Sequence, residues 1–314
     1  MTPDRILAHA PRVLTQAQRE SYFEQGYLLV ERLIDDATVA KLNATTSEWL
    51  ERSRQLEASS REIDIGPGHS REKPVVRRLI DPDRIDPTYW DFATGIIADV
   101  AADLLGPDVA FNHAKLNFKW SDGRDEVKWH QDLPFYPHTN HNVLAIGCYL
   151  SDVTAEDGPL GVIPGSHRGP FYEHYDERGV WTGSIRDADL AHLDLASARY
   201  LPGPRGSITV HHGRAVHGSK PTTRANGRPL LINAYAAADA FPYHSPESYT
   251  SPHNRFAVRG ERARWAHLDP EPCPMPPDYG GGPKTIYAYQ SGEAAKPTPR
   301  DPGPRPAVAR ANAS

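Results

Sequence analysis

The histidines are the residues of this chain whose type and spacing could do chemistry. There are 15 of them among 314 residues, and several begin a His-x-Asp pair. On a β-strand, side chains two positions apart point to the same face, so such a pair can offer an imidazole and a carboxylate to one metal ion. At most one pair is expected to form a site. The pairs are His130/Asp132, His174/Asp176, His192/Asp194 and His267/Asp269.

The first pair along the chain, His130 and Asp132, has the sequence context that a metal site needs. It follows a strand candidate at residues 127–129, and further strand candidates come after it. The second pair lies in a charged insertion. The third lies in a Leu/Ala-rich stretch that favours a helix, where residues two apart diverge. The fourth has no histidine after it to complete a ligand set. A surface ion pair is the alternative interpretation of His130 and Asp132.

Residues 211–219 contain three histidines that could supply a third ligand. We favour His217, and His211 and His212 are the competing candidates. Two imidazoles and one carboxylate on one face of a non-haem ferrous ion leave positions open for substrate and O2. Arg228 follows at the start of another strand candidate, where its guanidinium could bind a carboxylate through two hydrogen bonds, which a lysine does less well.

The first third of the chain has the pattern of helices. Apolar residues recur at helical spacing, and capping residues stand before these runs. The predicted elements are a helix after the capping box Thr15-x-x-Gln18 that ends at Gly26, a strand at 27–30, a helix capped by Asp35 or Asp36, a loop at about 59–73, and a helix at about 88–105 capped by Asp86 and ended by Gly106.

From Val109 onward, short segments alternate with a period of two and are separated by turn residues. The connections are too short or too rich in proline for the helices of a parallel sheet. Many short strands of this kind favour a sandwich, jelly roll or barrel. On the last strand Asn233 and Tyr235 alternate with Leu230 and Ile232, and we expect the polar face to line a pocket. The predicted strands are 110–120, 127–132, 143–152, 160–163, 207–211, 215–217 and 229–236.

Composition excludes several classes of protein. The formal net charge of −5 argues against a nucleic-acid partner held mainly by phosphate contacts. No apolar run approaches the roughly 20 residues of a membrane span, and the N-terminus leads into no secretory signal. With two cysteines, Cys148 and Cys273, no disulfide framework is expected. We therefore expect a cytoplasmic protein with a small-molecule partner and no nucleic-acid or membrane partner.

The expected organisation is a single domain over residues 1–293. Its parts are a helical N-terminal part at about 1–106, a jelly-roll core at about 107–237 and a loop-rich C-terminal region at about 238–293. Residues 294–314 are rich in proline and poor in apolar residues, so we expect a disordered tail.

Three motifs together resemble the phytanoyl-CoA dioxygenase family, and the resemblance extends over roughly residues 15–237. The start of the chain, with Gly26-Tyr27-Leu28-Leu29-Val30, is also similar to the opening of that family. The combination of motifs is specific, whereas a His-x-Asp pair alone is not. The motifs are Trp129-His130-Gln131-Asp132, then Asp157-Gly158-Pro159-Leu160-Gly161-Val162-Ile163-Pro164-Gly165-Ser166-His167, and then His217-Gly218-Ser219 followed by Arg228.

The resemblance implies an Fe(II)- and 2-oxoglutarate-dependent dioxygenase on a double-stranded β-helix, a mainly β jelly roll of the cupin-like kind with flanking α-helices. In such an enzyme 2-oxoglutarate and O2 give succinate and CO2 while a C–H bond of a small organic substrate is hydroxylated or otherwise oxidised. By the same resemblance, His130, Asp132 and His217 bind iron, and Arg228 pairs with the far carboxylate of 2-oxoglutarate. Further cosubstrate contacts are expected from Lys115, Asn117, Tyr136 and Ser219.

Two other functions remain open from the sequence. One is a cupin-like metalloenzyme that uses the same three ligands without 2-oxoglutarate, and the other is a non-catalytic jelly-roll binding module. Halogenation is disfavoured, because related halogenases replace the acidic ligand with a small residue and Asp132 is present. Acyl-CoA, amino-acid and natural-product substrates occur across such families, and the sequence does not choose among them.

Overall fold

The computed structural model describes residues 1–120, 126–223, 227–243, 251–277 and 286–292. The expected tail at residues 294–314 therefore lies outside the described residues. The helices are α1 (Pro3–Leu7), α2 (Gln16–Gln25), α3 (Asp36–Ser53), α4 (Pro82–Ile85), α5 (Pro87–Thr94), α6 (Ile96–Leu105), α7 (Asp187–Leu190) and α8 (Ile286–Gln290). The strands are β1 (Tyr27–Val30), β2 (Ile63–Ile65), β3 (Val76–Ile80), β4 (Val109–Lys119), β5 (Val127–His130), β6 (Val143–Tyr149), β7 (Leu160–Val162), β8 (Arg199–Tyr200), β9 (Ile208–His212), β10 (His217–Ser219), β11 (Arg228–Ala237) and β12 (Ala257–Arg259).

The predicted caps define the first two long helices. The Thr15 hydroxyl accepts the backbone N–H of Gln18, and the Gln18 side chain accepts the N–H of Thr15, so the capping box before α2 is complete. Gly26 ends this helix with a φ of 82°, a left-handed conformation that favours glycine. Asp35, one of the two predicted caps, accepts the N–H of Thr38 at the start of α3.

The single helix expected at 88–105 is two helices, α5 and α6, which meet at Gly95. The ψ of Gly95 is −144°, outside the helical range, so the helical hydrogen bonds are interrupted there. The Tyr235 hydroxyl and the Arg259 guanidinium bind the carbonyls exposed at this break. These partners are distant in the sequence, and for that reason the helical periodicity alone did not predict the break.

Two antiparallel sheets face each other and confirm the predicted jelly roll. The larger sheet is 8-stranded, with the order β1-β9-β6-β11-β4-β3-β2 and with β12 paired to β4. The smaller sheet is 4-stranded, with the order β5-β10-β7-β8. Four strands were not predicted: β2, β3, β8 and β12. Strand β2 lies in the polar stretch expected to be a loop, β8 lies in the insertion between β7 and β9, and β12 lies in the region expected to be rich in loops. Strands β2 and β8 are short strands at sheet edges.

The larger sheet has one face toward the helices and one toward the smaller sheet. Leu144, Ile146 and Cys148 lie on the helix side, where they form a fully buried core with residues of α6. These residues alternate along β6, so they share one face of the strand. Cys148 is therefore a small core residue, and burial raises the pKa of its thiol to about 12.

Asn233 and Tyr235, the polar residues of β11, also face the helices. The prediction that they line a pocket was therefore wrong. Asn233 is paired with Ile146, and the Tyr235 hydroxyl donates to the carbonyl of Ala93 at 2.7 Å. Leu230 and Ile232 line the cavity between the sheets instead. Alternation separates the two faces of a strand, but it does not tell which face meets the second sheet.

None of the helices in the described parts of the chain has the length and apolar composition needed to cross a membrane. Within the region expected to be rich in loops, the described segments pack on the jelly roll through β12, through α8 and through an isolated bridge between His138 and Pro242.

Candidate metal centre

The end of β5 carries the first two candidate ligands. His130 is the last residue of the strand, whereas Asp132 lies beyond it with φ −75° and ψ −41°, a helical conformation. The same-face rule for strands therefore does not place Asp132. Its backbone N–H donates to the carbonyl of Gly213 at 3.0 Å, and this contact turns the chain so that the carboxylate still points to His130.

The third ligand comes from β10, which pairs antiparallel with β5 so that His217 lies directly opposite His130. One carboxylate oxygen, Asp132 Oδ1, is 3.7 Å from His130 Nε2 and 3.8 Å from His217 Nε2. All three side chains are buried. Within the described residues, these three form the one group of His, Cys, Asp or Glu side chains whose donor atoms lie within 4.8 Å of one another.

Both imidazoles are oriented by the backbone. The Nδ1 atom of His130 is 2.9 Å from the carbonyl oxygen of Lys128, and that of His217 is 2.9 Å from the carbonyl oxygen of Ala215. A carbonyl can only accept, so Nδ1 carries the proton and the Nε2 lone pair faces the shared point. Two imidazole nitrogens and one carboxylate oxygen on one side of that point fit a non-haem ferrous ion.

The ionisation states also suit metal binding. Burial lowers the pKa of His130 to about 4 and that of His217 well below its usual value. Burial opposes ionisation of Asp132, but the neighbouring His217 and a hydrogen bond from His211 outweigh it and hold the pKa of that carboxyl well below its usual range. At neutral pH the site therefore presents two neutral imidazoles and a carboxylate, the forms in which these side chains bind metals.

His211, one of the competing candidates for the third ligand, lies beside the site and contacts a ligand. Its Nε2 is 3.1 Å from Asp132 Oδ2, the carboxylate oxygen that does not face the other histidines. His212 points to the other side of β9, where its Nδ1 accepts the N–H of Arg214 at 3.0 Å. The structure thus places His217 with the His-x-Asp pair, and it gives His211 the position of a group that orients Asp132.

The other His-x-Asp pairs have structural partners. His174 Nε2 accepts the backbone N–H of Gln131 at 3.1 Å, and its ring stacks on Trp181. Asp194 caps a short 3₁₀ turn. Asp269 accepts the N–H of His141 at 2.8 Å. The stretch around His192 was expected to be helical, but α7 ends before it at Leu190, and Asp194 caps a separate turn after it.

A cavity of about 80 Å³ lies between the sheets beside the three ligands. Arg228 lines it at one end, and its guanidinium is held by the carbonyls of Asp157 at 3.1 Å and Gly158 at 3.3 Å. The remaining nitrogen, Nη1, is buried and has no hydrogen-bond partner among the described residues. Because an unpaired buried donor is costly, this atom is suited to a ligand carboxylate. Ser219 also lines this part of the cavity.

Three side chains of β4 line the cavity in alternation: Lys115, Asn117 and Lys119. The first two were predicted as cosubstrate contacts, and Lys119 was missed. Lys119 lies directly opposite Arg228 in the strand register and donates to the carbonyls of Ser219 and Lys220. The period of two that groups Lys115 with Asn117 also reaches Lys119, so the sequence contained the signal.

Tyr136 is not among the residues that line this cavity. It is buried after the turn that follows Asp132, and its ring packs edge-to-face against His113 and His138. Its predicted contact with the cosubstrate is therefore not supported, because the 3₁₀ turn directs the side chain away from the Arg228 end.

Helix α8 covers the cavity. No role for these residues was predicted from the sequence. Ile286 and Tyr287 line the cavity wall. Gln290 fixes the helix to β5: its side-chain oxygen accepts the N–H of Lys128 at 2.8 Å, and its amide donates to the carbonyl of Gly183 at 2.8 Å. The site is thus shielded by a segment that is remote in sequence from the jelly roll.

Comparisons with known proteins show what the whole chain is similar to. The sequence model of the phytanoyl-CoA dioxygenase family matches residues 22–229. A relative from Stutzerimonas stutzeri, described as a probable alpha-ketoglutarate-dependent hypophosphite dioxygenase, is 33% identical over 243 residues, which are 72% of this chain and 79% of the relative.

Solved structures of EctD from S. alaskensis share the fold. The structure with bound Fe has a TM-score of 0.65 at 21% identity and covers 81% of this chain and 90% of its own. The structure with 2-oxoglutarate and 5-hydroxyectoine has a TM-score of 0.66 at 21% identity, with 84% of this chain and 93% of its own covered.

Proposed function

The chain belongs to the phytanoyl-CoA dioxygenase family and is an iron- and 2-oxoglutarate-dependent dioxygenase, and we propose that His130, Asp132 and His217 hold its ferrous ion. The observation that carries this assignment is the approach of both Nε2 atoms to one oxygen of Asp132, at 3.7 and 3.8 Å. The expected reaction oxidises a small-molecule substrate and releases succinate and CO2.

When bound, the ferrous ion supplies the chemistry by which O2 oxidises 2-oxoglutarate and the substrate. The protein holds the ligand geometry and limits access of water. The carbonyls of Lys128 and Ala215 fix the Nδ1 protons of the two histidines, and His211 fixes the outer oxygen of Asp132. Each ligand thus has a partner that keeps it oriented while the other ligands exchange.

The cosubstrate is proposed to bind with its far carboxylate on Arg228. The two carbonyls that hold Arg228 leave Nη1 for this carboxylate, and Ser219 and Lys119 line the same end of the cavity. Asn117 is proposed as a further polar contact, since it lies between this end and the centre of the cavity-facing side of β4. Burial excludes water, so the charge-assisted contact to Arg228 is strong and directional.

The cellular setting is also part of the proposal. Both cysteines are free, Cys148 within the core and Cys273 partly buried, which fits a reducing compartment such as the cytoplasm. The net charge of −5 favours a small-molecule substrate over nucleic acid.

Anaerobic titration of the ferrous protein with 2-oxoglutarate tests the function. A visible charge-transfer absorbance that saturates with one equivalent is expected, followed by succinate release when O2 is admitted. A protein that binds iron tightly but stays colourless with 2-oxoglutarate would instead favour a cupin-like metalloenzyme that does not use this cosubstrate.

A further inference from the structure

The turn between β9 and β10 supports metal ligands from two distant parts of the chain. The carbonyl of Gly213 accepts the backbone N–H of Asp132 at 3.0 Å and that of Leu133 at 2.9 Å. The carbonyl of Ala215, at the other end of the turn, is 2.9 Å from Nδ1 of His217. The orientation of two of the three ligands therefore depends on where this turn lies.

The carbonyl in the middle of the turn, that of Arg214, holds the residue between the other two ligand positions. Gln131 lies between His130 and Asp132 and is fully buried. Its side-chain amide donates to the carbonyl of Arg214 at 2.9 Å and to the carbonyl of Pro170 at 3.1 Å. Three successive carbonyls of the turn thus contact a ligand or its neighbour in sequence, so a displacement of the turn would move the ligands with it.

The side chain of Arg214 connects this turn to segments outside the two sheets. Its guanidinium donates to the carbonyl of Gly169 at 2.6 Å and to Nδ1 of His141 at 3.0 Å, and it lies 4.7 Å from the ring centroid of Phe171. Nη1 is 2.7 Å from a carboxylate oxygen of Glu271. The side chain is 12% exposed, so these charge-assisted contacts are shielded from water and directional.

Glu271 belongs to a C-terminal segment for which the sequence predicted no role. Asp269 fixes this segment to the loop before β6: its N–H donates to the carbonyl of Thr139 at 2.9 Å, and its carboxylate accepts the N–H of His141 at 2.8 Å. The counter-charge of Arg214 is therefore held in place by the loop. Through Arg214, the turn that supports the metal ligands is joined to the C-terminal region.

We infer that Arg214 is a positioning residue for the ferrous ion, which holds the 213–215 turn where its carbonyls orient the ligands. The inference rests on the proposed function, because it concerns the same metal site. Removing a group that orients metal ligands typically costs about tenfold to a hundredfold in metal affinity. An arginine suits this place because its planar fork binds several acceptors at once, which the ammonium group of a lysine does less well. The alternative is that Arg214 only anchors the C-terminal segment.

The test measures the binding of Co(II), a metal that takes the same kinds of ligand as Fe(II) and whose visible ligand-field bands report coordination geometry. Arg214→Met is expected to lower the affinity for Co(II) about tenfold or more and to shift the bands. Spectra are recorded at saturating metal, so a loss of folded protein cannot mimic the shift. Arg214→Lys should retain part of the affinity. Glu271→Gln should have a smaller effect in the same direction, because its side chain is 44% exposed and its ion pair is partly screened.

Arg54→Met is the matched control. Arg54 also forms an ion pair, with Glu51 at 2.7 Å, and also donates to backbone carbonyls, those of Arg71 and Glu72. It lies at the end of α3, and none of these residues lines the cavity beside the metal ligands. This variant should keep the wild-type affinity for Co(II) and the wild-type bands.

Unchanged affinity and bands in Arg214→Met would overturn the inference and leave Arg214 as an anchor of the C-terminal segment. Equal losses in Arg54→Met would also contradict it, because the effect would then come from general destabilisation. A wild-type protein that shows no ligand-field bands with Co(II) would instead refute the metal site itself, and with it the proposed function.

Discussion

At the residue scale, the sequence predicted which three side chains the structure brings together as candidate metal ligands, but not how each is held. His130, Asp132 and His217 follow from the motif and its spacing. The backbone conformation of Asp132 did not follow, because the turn depends on a contact with Gly213 from a distant segment. The contact of His211 with Asp132 was not predicted either, because the sequence indicated His211 only as a competing candidate for the third ligand.

Replacing His211 tests its role in orienting Asp132. His211→Phe removes the hydrogen bond to Asp132 Oδ2 while it keeps an aromatic ring in the site. The affinity for Fe(II) is expected to fall about tenfold or more, the usual effect of losing a group that orients a ligand. Competition with a chelator measures the affinity. His212→Gln, on the opposite face of β9, should retain wild-type affinity; equal losses in both variants would refute the orienting role.

Arg228 provides a second prediction at this scale. Arg228→Lys keeps the charge but loses the planar fork, so the dissociation constant for 2-oxoglutarate should rise about tenfold or more. Iron should stay bound, since none of the metal ligands changes. Isothermal titration of the ferrous protein under argon measures both. An unchanged affinity for 2-oxoglutarate would remove Arg228 from the cosubstrate site.

At the element scale, caps and turn residues predicted both ends of α2 and the start of α3, because these depend on neighbouring residues. Elements that depend on distant partners were not predicted. Gly95 divides α5 from α6 where Tyr235 and Arg259 bind the freed carbonyls, and β2 exists because it pairs with β3.

Helix α8 is expected to control access to the cosubstrate. Gln290→Ala removes the hydrogen bonds to Lys128 and Gly183, and Tyr287 then no longer closes the cavity wall firmly. We expect the dissociation constant for 2-oxoglutarate to rise several-fold, with Fe(II) affinity unchanged. Stopped-flow absorbance should show that the change lies mainly in the dissociation rate. Gln55→Ala, at an exposed position, is the control; identical rates in the two variants would exclude a closing role for α8.

At the scale of the whole molecule, the alternation after Val109 predicted a sandwich, jelly roll or barrel, and the family resemblance singled out the jelly roll. The helical pattern before Val109 predicted a helical N-terminal part, which in the structure also supplies β1, β2 and β3 to the larger sheet. Which face of the larger sheet meets the helices was beyond the sequence pattern. Asn233 and Tyr235 show this, because both faces of β11 carry residues that a core or a pocket could accept. Residues of both sheets and of α8 line the cavity, so no single segment of the sequence predicts it.

The buried histidines predict how the stability of the metal-free protein depends on pH. Burial lowers the pKa of His138 to about 4 and that of His174 to about 3. The unfolded chain binds protons at these histidines near pH 6.5, so the free energy of unfolding should decrease as the pH falls from about 6.5 toward 4. Urea titrations at several pH values measure this. A constant or rising stability over that interval would contradict the burial of neutral imidazoles.

The most direct test of the central claim is an anomalous difference map, recorded at the iron edge, from crystals grown anaerobically with Fe(II) and 2-oxoglutarate. We predict one strong peak within coordination distance of His130 Nε2, Asp132 Oδ1 and His217 Nε2, with a 2-oxoglutarate carboxylate on Arg228. A peak coordinated by His211 in place of His217, or located away from these three side chains, would contradict the account.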